Sequence, residues 1–110
     1  MNTIRDAVEI GMTVIRRSIE MCANDSVKTL EDVKYKHGNI GTAGVISDLR
    51  VDVLMTIGAI SQHANVLSNI ETEDKELLEL LEREAVFLHK MVDYFKDVLT
   101  SIEPLILMCK

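Results

Sequence analysis

The chain has 110 residues, 47% of them hydrophobic, 4% aromatic and 27% charged, with five glycines, one proline and no tryptophan. Such a composition describes one folded domain, excludes a disordered chain, and leaves no run of the ~18 to 20 consecutive apolar residues a membrane span needs. Twelve Lys and Arg against eighteen Asp and Glu give a net charge of −6, which argues against nucleic acid as a partner, because phosphate neutralisation supplies most of that affinity.

The opening Met1-Asn2-Thr3-Ile4-Arg5-Asp6 has no basic stretch leading into an apolar one, so a soluble, cytoplasmic protein is expected. Cys22 and Cys109 form neither a CxxC pair nor a disulfide framework. A reducing compartment with Cys22 as a buried free thiol fits them.

The first long helix is expected over about 2–23. Val8, Met12, Ile15, Ile19 and Cys22 follow one another at spacings of four, three, four and three, which is one helical face. Asn24-Asp25-Ser26 offers cap and turn chemistry that ends it. A short helix starting near Thr29 and stopping at Gly38 is expected in the 26–44 connection. The glycine-rich segment 38–44 that follows reads as the one substantial irregular link.

The second long helix is expected over about 43–70. Ile46, Val53, Ile60 and Leu67 repeat every seven residues, interleaved with Leu49, Thr56, His63 and Ile70. Glu71 to Asp74 marks a break, with Thr72 as N-cap. The third helix, about 73–102, carries the strongest pattern: one column of Leu81, Leu88, Phe95 and Ile102, and another of Leu78, Ala85, Val92 and Leu99. Outside these columns Leu77, Met91 and Val98 line one flank, and Leu80, Phe87 and Tyr94 the other. The apolar arc is thus wider than a dimeric coiled coil requires. Pro104 is expected to break or kink the helix, leaving an apolar tail over 104–110. Equal lengths and a tight turn would make the second and third helices an antiparallel hairpin. With the first helix packed against them, the fold class is all-α: a single domain, 1–110, of three long amphipathic helices in an up-down bundle.

The acidic excess lies in the second half, where Glu71, Glu73, Asp74, Glu76, Glu79, Glu82 and Glu84 cluster. They read either as a solvated helix start, complementing the macrodipole, or as a docking surface for a basic partner. Lys34, Lys36, His37, Gly38, Gly41, Thr42 and Gly44 place cations and bare backbone just before a helix, an arrangement that suits phosphate or a nucleotide. The spacing is that of neither a P-loop nor GxGxxG, and a plain flexible link explains the same glycines. Thr56 and His63 form a polar pair in an apolar column. They either satisfy one another or a backbone carbonyl, fix the packing register, or line a cavity or subunit interface.

No Glu-x-x-His, HExxH or nucleophile-elbow pattern occurs, so no catalytic residue, metal or cofactor is expected. His89 and Asp93, four apart, suit a surface hydrogen bond. The sequence points to a non-enzymatic protein-binding module, an adaptor, chaperone, inhibitor or sequestering protein. It would self-associate, by preference as a dimer, through the over-wide apolar faces of the second and third helices, and meet another protein, with no membrane involved. Leu77, Leu80, Phe87, Met91, Tyr94, Val98, Leu105 and Leu107 would supply the interface, and the acidic helix start a second contact. Binding of a small anion at 34–44 is the alternative.

Overall fold

A computed structural model describes residues 3–35 and 40–108, and the side chains of 3–33 and 44–105. Three helices make up the described chain: α1 (Thr3–Tyr35), α2 (Ile40–Ser68) and α3 (Lys75–Met108), with no strand among the described residues. They pack into a body of 56 × 20 × 16 Å, whose long axis is about one α1 in length at ~1.5 Å per residue. α2 lies along both other helices, whereas α1 meets α3 over a smaller stretch. Arg50, near the start of α2, bonds Glu103 near the end of α3 at 3.1 Å. Arg5, near the start of α1, bonds Glu76 at the start of α3 at 3.0 Å and Glu9 at 3.3 Å. Glu76 first, then Glu9, holds the Arg5 guanidinium above its ordinary pKa, which changes nothing at neutral pH because the group is charged there anyway.

The expected end of the first helix at residue 23 and the separate short helix after it are both corrected: α1 runs unbroken through Asn24-Asp25-Ser26 to Tyr35. The buried stripe explains this. Val8, Ile15, Ile19 and Cys22 continue on one face into Ser26 and Val33, all buried. The Ser26 hydroxyl donates to the Cys22 carbonyl at 2.7 Å, so it is satisfied inside the helix rather than capping a new one. Asn24 and Asp25 stand in solvent, where their weak helix propensity costs only a few tenths of a kcal/mol each.

α2 begins at Ile40, so Gly41 and Gly44 lie inside the helix instead of in an irregular link before it. Of its two expected columns, Ile46, Val53, Ile60 and Leu67 are buried throughout, whereas in the other Leu49 is buried and Thr56, His63 and Ile70 are half-buried. The helix closes with turn bonds from the amides of Asn69 and Ile70 to the carbonyls of Val66 and Leu67, both 3.2 Å.

The cap of α3 is Asp74, not Thr72. Asp74 Oδ1 accepts from the amides of Glu76 at 3.0 Å and Leu77 at 3.4 Å. Thr72 Oγ1 acts one step earlier, accepting from the Asp74 amide at 3.1 Å. Asp74→Ala is therefore expected to cost about 1 kcal/mol, and Thr72→Ala less. Urea unfolding of the two variants side by side tests the order; the reverse ranking would return the cap to Thr72.

Within α3 one expected column holds: Leu81, Leu88, Phe95 and Ile102 are buried. The second column is displaced by one residue. Leu77, Glu84 and Val98 are buried with Met91 half-buried, while Leu78 and Ala85 are exposed and Val92 and Leu99 half-buried. Both columns flank the same central row, and sequence pattern favours the one free of charge. The folded chain buries the one containing a glutamate, because that glutamate has a partner on α1. The expected break at Pro104 is also corrected: α3 continues through it to Met108. Pro104 is exposed, so the Thr100 carbonyl that lacks its helical donor stands at the wet face, while Ile102 and Leu105 hold the helix to the core on either side.

Candidate functional site

The eight residues expected to form an interface do not make one free surface. Leu77 and Val98 are core residues of the single chain, which removes them from any external face. Leu80, Phe87, Met91 and Leu105 are half-buried against that core, and Tyr94 remains 39% exposed. The side chain of Leu107 lies outside the described residues. Tyr94 packs edge-on to Phe95, with ring centres 5.2 Å apart and planes at 70°.

Phe87 is covered by α1. The Arg16 guanidinium carbon sits 4.0 Å from the centre of the Phe87 ring, a cation–π distance. The same arginine reaches past it: Nη2 donates to Glu84 Oε2 at 3.0 Å. Glu84 is completely buried, whereas Arg16 is half exposed, and Glu84 Oε1 has no hydrogen-bond partner. Glu84 thus departs from the solvated acidic cluster to which its sequence position assigns it. The exposed acids Glu73, Glu79 and Glu82 fit that cluster, Glu79 pairing with Arg83 at 3.7 Å across one helical turn.

Thr56 and His63 are half-buried and do not bond each other. The Thr56 hydroxyl donates to the Asp52 carbonyl at 2.8 Å. His63 faces α1 instead, and its Nε2 has no partner. A Cβ on Gly11 would lie 3.2 Å from His63 Cε1, so the bare glycine lets α1 come this close to α2. Beside the contact is an open apolar cleft of about 330 Å³ between the start of α1 and the end of α2, lined by Ile4, Ala7, Val8, Val66, Leu67 and Ile70 among others.

For the anion reading, Lys34 lies in α1, and Gly41, Thr42 and Gly44 lie in the first turns of α2. Lys36, His37 and Gly38 fall outside the described residues. Glycines expected to precede a helix N-terminus are thus partly within the helix. His89 and Asp93 stand 3.7 Å apart, both exposed. Cys22 is a buried free thiol, and Cys109 lies outside the described residues. Among the described residues no group of three or more His, Cys, Asp or Glu could hold a metal ion, and no helix is long and apolar enough to cross a membrane.

Sequence reasoning assigned self-association to the second and third helices but named no residue of the outward face of α2. Val51, Leu54, Met55 and Val66 are all about half exposed or more, Met55 at 68%. The signal was present: residues 53–70 contain no Asp, Glu, Lys or Arg. A helix apolar on several sides has more to cover than one bundle seam. Comparison with family models, with curated proteins and with solved structures finds no match to this chain.

Proposed function

We propose that this chain is a non-enzymatic protein-binding module that self-associates, by preference as a homodimer, and serves as an adaptor, chaperone, inhibitor or sequestering protein. The observation that carries the reading is the apolar surface left after the three helices have packed, on α1 at Ile10, Val14 and Met21, on α2 at Val51, Leu54, Met55 and Val66, and on α3 at Val86 and Tyr94. Burying such surface stabilises an assembly by roughly 25 cal/mol per Å² before association costs are subtracted. The bond from Arg50 near the start of α2 to Glu103 near the end of α3, and one cleft lined by Ile60 and Ala64 of α2 together with Ala85 and Val92 of α3, support reading α2 and α3 as an antiparallel hairpin in an up-down bundle.

Absolute mass by light scattering on a sizing column tests the proposal. The expected result is a defined oligomer of the 12.4 kDa chain, its share rising with concentration. A monomer at every accessible concentration would overturn self-association.

A further inference from the structure

Resting on that reading, we infer that the surface which self-associates is the outer face of α2, and that its occupant is the α2 of a second copy, related by a two-fold axis. The face is built from Val51, Leu54, Met55, Gly58, Gln62 and Val66, every one exposed.

Charge selects the occupant. A two-fold interface brings a surface onto itself, and on a chain of net charge −6 most surfaces do that badly. The outer side of α3 presents Glu79, Glu82, Asp93 and Asp97 with Arg83, Lys90 and Lys96, and that of α1 presents Asp6, Glu9, Glu20 and Glu31 with Arg17 and Lys28 beside Ile10, Val14 and Met21, all exposed. Burying either would take charges of both signs out of water. Residues 53–70 of α2 bring no charge to the axis. The same stretch has no Lys or Arg to hold an anionic lipid surface, which interfacial helices rely on, and Gln62 and Asn65 provide uncharged hydrogen-bonding groups that a second copy can match.

Gly58 indicates that a helix is what approaches. It lies in the middle of α2, where glycine is a poor helix former, and a Cβ added there would meet nothing within 4 Å. Packing within the chain therefore gives no reason for it, unlike Gly11, whose bare Cα accommodates His63. A crossing helix does give one, because backbones approach most closely where a Cβ is missing. The area is sufficient. From Val51 to Ser68 the face is about 27 Å long at 1.5 Å per residue, and the body is 20 Å across. A copy laid along it covers roughly 540 Å² per partner by this geometry, about 1,080 Å² in total, just above the ~1,000 Å² a specific interface needs.

The test compares the full chain with Met55→Glu and, separately, Gly58→Leu, reading mass by sedimentation equilibrium and helicity by circular dichroism. Met55 is exposed and Gly58 has open space, so both variants are expected to keep wild-type helicity. A buried unpaired carboxylate should raise the dimer Kd about a hundred-fold, and Gly58→Leu should raise it as well by holding the backbones apart. A wild-type oligomer that both variants convert to monomer supports the inference. An oligomer that survives either folded variant overturns the α2 face while leaving self-association standing, through another surface. A wild-type chain that is monomeric throughout overturns both, including the case in which it sediments with phospholipid vesicles instead.

Discussion

Replacing Arg16 with alanine is expected to destabilise the fold by about 3 kcal/mol, a large effect for a side chain that is half exposed. Its partner is the reason. Glu84 is wholly buried and one carboxylate oxygen already lacks a hydrogen bond. Removing Arg16 takes away the ion-pair partner of the other oxygen and uncovers Phe87. Breaking a buried pair from one side costs ~3–5 kcal/mol, because the remaining charge stays desolvated. The lower end applies here, since water can enter where a half-exposed arginine has left. Glu84→Leu should behave differently, being neutral or stabilising, as replacing a buried ion by an apolar side chain often is. Combining Arg16→Ala with Glu84→Leu should then recover most of the loss. Urea unfolding midpoints at one fixed protein concentration decide it. A loss below about 1 kcal/mol for Arg16→Ala, within the range of an ordinary surface pair, would refute the buried-carboxylate account.

A second large effect separates two neighbours in sequence. Leu77 is 1% exposed and Leu78 is 39% exposed. Leu77→Ala should cost about 2–5 kcal/mol, the range for truncating a buried leucine, and Leu78→Ala less than about 1 kcal/mol. Equal losses, or a larger one at Leu78, would mean that α3 presents the column free of charge to the core, and that its register differs by about 100° of helix rotation.

That comparison also locates what the sequence could and could not reveal. The rows made only of strong hydrophobes, Ile46, Val53, Ile60 and Leu67 on α2 and Leu81, Leu88, Phe95 and Ile102 on α3, are legible because seven-residue spacing returns each residue to the same face. The partner row of α3 was not, because pattern alone treats Glu84 as an intruder and cannot know that Arg16, sixty-eight residues away, reaches it. Asn24-Asp25-Ser26 looked like a boundary for a related reason. Cap residues act as caps only where tertiary contacts leave the helix free to end, and Val33 beyond them is drawn into the core. Of the residues expected at an interface, Tyr94 kept much of its exposure, whereas Leu77 and Val98 were taken by the core. The α2 face was hidden by its own composition: its apolar residues lie outside the heptad columns, and what marks it is a lack of charge rather than a motif.

The Arg16–Glu84 pair has a further consequence, for the order of folding. The two residues are separated by sixty-eight positions, whereas α2 and α3 are joined by a link of six residues, 69–74. Only four residues, 36–39, separate α1 from α2, so either hairpin closes at a small cost in chain entropy, whereas the contact of α1 with α3 needs both. Whichever hairpin forms first, Glu84 is still hydrated on its open flank, and the carboxylate loses its water only when α1 and α3 meet and bring it the guanidinium that compensates it. Desolvation and pairing are then one late event. The chain escapes a stage at which a bare buried charge would have to wait for its partner.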